Sequence, residues 1–391
     1  MNKFKGEFLL EDGIIFLNHG SFGACPKPVF ETYQEWQREL EKQPVRFLGR
    51  QAVDLLAESR HALAAYLNIP ADNIVYTPNP TTAINMVVRS LGLKPGDEIL
   101  TSEHEYGAMD RTWRFICKQT GANYIQRSIP LPLASRSDFI EQFLAGVTPA
   151  TRIIFLSQVT SQTALTFPVA EICARARELG ILSIIDGAHV PGHIPLDIAA
   201  LNPDIYTGAC HKWLCAPKGS AFLYAHPDIQ PRLDPLIVSW GYEAEEPGSS
   251  RFIDYHEWQG TRDLAAFLAV PSAIQYQQDN HWPRIRQECH NLALQAHARI
   301  NELTGQQPLC PPSGEWFRQM VAFRLPAGID NVALKTYLYN IHHIEVPTYA
   351  WHGQPFFRVS FQAYNQASDL QSLLSALETY LTEENSRHEV N

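Results

Sequence analysis

Lys212 sits in the run DIYTGACHKWLCAPKGSAFL, Asp204 to Leu223, with small residues before it, His211 beside it and Trp213-Leu214-Cys215-Ala216 after it. A lysine in such surroundings is rarely without a partner. In a desolvated pocket its amine has a lowered pKa and attacks carbonyls to form a Schiff base. A buried stem with a head reaching water is the plainer alternative. Upstream, ILSIIDGAH puts Asp186 at the end of a strongly hydrophobic stretch. A carboxylate at that depth needs a partner, and a protonated heterocyclic nitrogen would suit it. An Asp that caps the following turn is the competing reading. Further upstream, NPTTAIN places Thr81 and Thr82 where a helix opens. Their hydroxyls beside unpaired N–H groups would make a phosphate site, or a simple N-cap.

The elements that must position these residues alternate from about residue 71. NIVYTPN, DEILTSE, NYIQRSI, RIIFLSQV and ILSIIDGA read as strands. PTTAINMVVRSL, GAMDRTWRFICKQTG, SDFIEQFLAGV and PVAEICARARELG read as the helices between them. This is the pattern of βαβ units, a mainly parallel sheet with helices on both faces. Ligands in such sheets bind beyond the carboxyl ends of the strands, where Thr81, Asp186 and Lys212 fall. The alternation stops near residue 226, and the last ninety or so residues mix strands (MVAFRL, FFRVSF) with helices, as a smaller α/β domain would. The expected division is an N-terminal segment and helix over 1–70, a large domain over 71–265 and a small domain over 266–391.

Bulk properties narrow the classes. The 391 residues carry 31 basic and 41 acidic side chains, a formal charge of −10, with no long Lys/Arg run. That argues against a nucleic-acid or anionic-membrane partner. No apolar stretch is long enough to span a bilayer, and the first residues have no signal-peptide core. Seven scattered cysteines form no CxxC pair, so neither a metal knuckle nor a disulfide framework is expected. A soluble, reduced, cytoplasmic protein without a metal is the expectation.

Taken in chain order, a phosphate cup, an acid for a ring nitrogen and an imine-forming lysine are the handles for pyridoxal 5'-phosphate. At these residues the sequence resembles the class V aminotransferase superfamily, fold type I of the pyridoxal-phosphate enzymes. Within it, LNHGSFGACP, PVRFLGR, EHEYGAMDRTW, DGAHVPGHIPLDI, TGACHKWLCAPKGSAFL and GTRD look most like isopenicillin N epimerase-like proteins.

The resemblance implies a seven-stranded-type sheet and a role for each matching residue. Lys212 would hold the cofactor and shuttle protons at the substrate α-carbon. Asp186 would pair with the pyridine nitrogen, and His104 would stack on the ring and take part in catalysis, with Tyr106 competing for that place. Thr81, Thr82 and His211 would hold the phosphate, and His189 would touch the ring's 3-hydroxyl. Thr261 of GTRD would reach the phosphate of a neighbouring subunit in a homodimer with shared active sites. Arg358, in FRVSFQAYN, would clamp the substrate carboxylate, for which a bidentate fork is suited. Asn18 and His19 would close over an amino-acid-type substrate. Two positions depart from the pattern. Ala209 stands where relatives often have a phosphate-binding Ser, for which Thr207 or His211 would compensate. Ser161 beside Gln162 stands where they often have Asn.

The resemblance ranks an epimerase or racemase first. A C–S (β-)lyase or an aminotransferase are alternatives, and a non-catalytic cofactor-binding protein is the remotest. The residues 331–357 ahead of Arg358 contain no cysteine, which argues against persulfide chemistry on a protein thiol. Epimerisation needs acid–base groups on both faces of the α-carbon. Lys212 would serve one, and Tyr106, His19 and Tyr349 are candidates for the other.

Overall fold

The computed structural model describes residues 3–390. Its centre is a seven-stranded sheet. The strands lie in the order Ile74–Thr77, Ala221–Ala225, Ile205–Ala209, Leu182–Asp186, Thr151–Ser157, Glu98–Ser102 and Asn123–Arg127. Four neighbouring pairs are parallel. Ala221–Ala225 alone runs antiparallel to both of its neighbours. The interior strands read as unbroken apolar runs because both faces of the sheet are covered. Successive side chains point to opposite faces. Ile154, Leu156, Ile185 and Tyr206 therefore join one apolar cluster, while Ile153, Phe155, Ile184 and Ile205 join the other. The helices fall between the strands as the sequence pattern requires, at Pro80–Ser90, Gly107–Thr120, Arg136–Leu144 and Val169–Glu178.

A second, antiparallel sheet has the order Thr348–Trp351, Gln354–Ser360, Met320–Arg324. Its hairpin turns at His352 and Gly353, both with positive φ (48° and 76°), the backbone that a tight two-residue hairpin demands. Helix Trp282–Thr304 packs on this sheet and on helix Ala367–Val390. The N-terminal strand Ile15–Phe16 pairs in parallel with Ile344–Glu345, and Asn18 bridges to Ser360. This brings the first twenty residues beside the strand that carries Arg358. All seven cysteines are free and buried. Among the described residues, no helix is long and apolar enough to cross a membrane.

Candidate active site

The carboxyl ends of the central strands open into a cleft of about 640 Å³, its mouth included. Thr81, Asp186, His189, His211 and Lys212 line it, together with Asn79, Tyr106, Ser157, Ser161 and Ser21. Five of the residues singled out from the sequence thus meet in one place.

Lys212 follows the Ile205–Ala209 strand in a tight turn held from three sides. Gly23 passes so close that a Cβ there would lie 2.1 Å from the His211 carbonyl oxygen, and Gly192 (φ 84°) approaches the Trp213 carbonyl in the same way. The third support is His19, which bonds the Lys212 carbonyl at 3.0 Å through Nε2 and the Tyr364 hydroxyl at 3.0 Å through Nδ1. The Lys212 amine itself meets His189 Nε2 at 3.2 Å. Burial and the nearby Arg358 charge push its pKa down to about 8, against the opposing pull of Asp186.

Asp186 ends the Leu182–Asp186 strand and is buried. Its Oδ1 accepts the Ala188 N–H at 2.8 Å. Burial raises its pKa, opposed by that hydrogen bond and by Lys212. A desolvated carboxylate lining a cleft is suited to a cationic nitrogen, whose charge it would hold. Behind it lies Glu105, which the sequence reading did not single out. It accepts bonds from Ser102 Oγ (2.6 Å), Ser157 N (2.9 Å) and Ser157 Oγ (2.5 Å). Burial, and to a smaller degree Asp186, push its pKa up to about 8.

Helix Pro80–Ser90 starts at the cleft with Asn79 as its cap. The Asn79 Oδ1 accepts from Thr82 N at 2.9 Å and from Thr82 Oγ1 at 3.2 Å. Thr81 therefore faces the cleft while Thr82 completes the cap. Asn-Pro at the head of a helical pattern is the signal that identifies Asn79. His211 lines the cleft with Nδ1 on the Ser220 carbonyl at 3.0 Å. Burial lowers its pKa to about 4. Thr207 donates to the Phe222 carbonyl inside the sheet and does not compensate for Ala209.

Several further residues named from the sequence lie outside the cleft lining. His104 is fully buried away from the cleft, with Nδ1 on Thr163 Oγ1 (2.9 Å), Nε2 on the Ile129 carbonyl (3.2 Å) and its ring against Trp351 and Phe167. Tyr106, two residues on and 47% exposed, takes the place at the cleft instead. His19 and Asn18 support rather than border the site. Asn18 donates to Glu345 (3.0 Å) and accepts from the Ser21 hydroxyl (2.5 Å). Thr261 lies in a separate groove with Gln37, Leu40, Leu48 and Asp263. Arg358 is buried just behind the cleft wall. Its Nη1 bonds the Ser161 carbonyl and, at 3.3 Å, the Ser161 hydroxyl, while Nη2 bonds Ser21 Oγ at 3.1 Å. Its Nε is buried without a hydrogen-bond partner among the described residues. Tyr349 donates to the Gln162 carbonyl, outside the cleft lining.

Residues 15–373 match the family model for "Aminotransferase class-V". The chain belongs to the class V aminotransferase family. This class V enzyme is 37% identical to isopenicillin N epimerase of Amycolatopsis lactamdurans, over 94% of this chain and 95% of that one. It is 33% identical to isopenicillin N epimerase of Streptomyces clavuligerus, over 96% of each. It is also similar to L-cysteine desulfhydrase of Arabidopsis thaliana, 25% identical over 94% and 88% of the two chains. Among solved structures, the apo cysteine desulfurase of Thermococcus onnurineus NA1 superposes with a TM-score of 0.83, at 20% identity over 97% and 98%. A C-DES variant with glycine linked to its PLP cofactor gives 0.81, at 23% identity over 96% and 98%. The class V enzyme uses pyridoxal phosphate, and its cleft fits that group. A helix start, a buried carboxylate and an amine of depressed pKa stand around one space of suitable size.

Proposed function

We propose that this class V enzyme is an epimerase or racemase acting at the α-carbon of an amino acid, or of a peptide that ends in a free α-amino-carboxylate. One observation carries the reading: the similarity to two isopenicillin N epimerases runs over nearly the whole of both chains. Bound pyridoxal phosphate would supply an electron sink for the α-carbon.

The chain's own residues would do the rest. Thr81, the helix start and His211 would hold the phosphate, and Asp186 the ring nitrogen. Tyr106, at the cleft mouth, would cover the ring in place of His104. Lys212 would take and return the α-proton. Of the three candidates for a second proton-handling group, Tyr106 alone borders the cleft. His19 is committed to the Lys212 carbonyl and Tyr364, and Tyr349 to Gln162. Arg358 would receive the substrate carboxylate by exchanging its bonds to Ser21 and Ser161, which bring the guanidinium to the cleft wall.

A C–S lyase is the second reading, supported by the similarity to a cysteine desulfhydrase. A desulfurase with a persulfide on its own thiol is disfavoured. That step needs an accessible thiolate, and every cysteine here is buried. Burial pushes the thiols up, Cys117 to about 11 and Cys25, Cys173 and Cys310 to about 12. We also propose a homodimer. Thr261 sits away from its own chain's cleft, and Val238 and Trp240 leave large apolar surface exposed (67% and 87%).

The test is incubation of the holoenzyme with candidate amino acids and short peptides in deuterated water, following the α-proton, keto acid and sulfide together. Deuterium wash-in with inversion and no keto acid supports the epimerase. Pyruvate with sulfide supports the lyase, and keto acid with aminated cofactor supports a transaminase. An absence of α-proton exchange on any candidate, with cofactor bound, would sink all three.

A further inference from the structure

Trp213 follows the reactive lysine in sequence, yet its indole is fully buried. Its Nε1–H donates to His189 Nδ1 at 3.2 Å, and the far side of the same imidazole, Nε2, faces Lys212 Nζ at 3.2 Å. An indole nitrogen can only donate. His189 Nδ1 must therefore offer a lone pair, and a neutral ring then carries its proton on Nε2. The ring is neutral because burial, with the charge of Arg358, depresses its pKa well below the ordinary histidine range.

The indole is held in turn. His193 stacks on it with ring centroids 4.1 Å apart and an interplanar angle of 15°. His193 Nδ1 bonds the His189 carbonyl at 2.9 Å, and its Nε2 accepts the Gln319 N–H at 3.0 Å. His189 is thus fixed at its backbone and at both ring nitrogens.

We propose that Trp213 is a positioning residue that locks His189 in its Nε2–H tautomer, so that the Lys212 amine always meets a hydrogen-bond donor, which favours its free base over the ammonium. A free amine has a lone pair to accept that N–H. An ammonium has none, and would set N–H against N–H. Were the indole N–H absent, His189 could move its proton to Nδ1, and Nε2 would then accept from the ammonium and stabilise it. The inference deepens the reading of Lys212 as the imine-forming residue and rests on that reading only for its consequence. The tautomer itself belongs to the apoprotein.

The experiment uses the full-length chain freed of cofactor. Competitive acetylation against pH, read by peptide mass spectrometry, gives the titration of Lys212, with Lys218 as internal reference. Trp213→Phe keeps the ring and removes only the donor. Its Lys212 midpoint should rise by about one pH unit, which is about tenfold less free amine at neutral pH, while Lys218 is unmoved. In a His189→Gln background the same substitution should add nothing. Independently of whether Trp213→Phe folds, nitrogen-15 spectra of histidine-labelled wild-type protein should show one ring, absent from His189→Gln, with its proton on Nε2. A ring protonated on Nδ1 would overturn the proposal. So would a Lys212 midpoint that is unchanged or lower in Trp213→Phe, or an equal shift without His189. Cofactor fixed by borohydride to a different lysine would instead overturn the role of Lys212 and leave the tautomer untouched.

Discussion

Replacing Lys212 by Met should make the cofactor-free protein more stable at neutral pH, while removing its reactive group. The ammonium is what the site disfavours. Burial and Arg358 lower the amine's pKa from 10.5 to about 8. That difference of 2.5 units is a ceiling of roughly 3 kcal/mol against the charged form. Lys212 is partly open to the cleft, so water screens some of that penalty. That screening takes back roughly 1–2 kcal/mol. Methionine is close to the lysine stem in shape and adds little strain. The expected gain at pH 7 is therefore about 1–2 kcal/mol. Its pH dependence has a definite sign. Below about pH 8 the lysine is charged in both folded and unfolded chains, and the full penalty applies. Between about 8 and 10.5 only the unfolded chain is charged, so the wild type recovers, and above 10.5 the gap closes. Urea unfolding of both proteins at a series of pH values reads this directly. A variant less stable than wild type at pH 7, or a gap that widens with rising pH, would refute the view that the site holds its lysine against protonation.

Three other outcomes are expected. Asp186→Asn keeps the shape of the Ala188 contact but removes the charge; cofactor should still bind while α-proton exchange falls about 10²-fold or more, and near-normal exchange would make Asp186 a structural cap. His104→Leu should leave the holoenzyme's visible absorbance unchanged and cost about 1–3 kcal/mol of stability at pH 7 through its lost hydrogen bonds. The histidine titrates near 4 when folded and 6.5 when unfolded. The wild type's advantage should therefore shrink as pH falls from 6.5 to 4, as urea unfolding would show. Light scattering should give the mass of two chains, and a fully active monomer would contradict the proposed cross-subunit role of Thr261.

The large sheet was legible because each buried strand is a short apolar run bounded by polar turns, and each helix has apolar positions at helical spacing. The cleft followed from the same rule, since Asp186 closes one strand and Lys212 lies three residues beyond another, and the carboxyl ends of the two share one edge. What escaped were residues fixed by the three-dimensional course of irregular chain. His104 and Tyr106 are two positions apart in a turn with no regular period, so the sequence could not say which one faces the cleft. The structure gives His104 two internal bonds, and Tyr106 the opening. The family resemblance implied that His19 closes over substrate. The pairing of Ile15–Phe16 with Ile344–Glu345, more than three hundred residues away, instead drives it beneath Lys212. Thr82 reads like Thr81 until the Asn79 cap claims it. Trp213 entered the sequence reading only as a neighbour of Lys212, and its proposed role depends on an indole N–H direction that composition does not encode.

We propose above all that Lys212 binds the cofactor carbonyl. Borohydride reduction of the holoenzyme followed by peptide mapping tests it most directly. The pyridoxyl group should be found on Lys212 alone, and Lys212→Ala should carry no reducible label although Asp186, Thr81 and His211 are intact. A label on Lys218, whose amine lies nearby on the Gly23 carbonyl at 3.0 Å, or on any other lysine of the variant, would contradict the account.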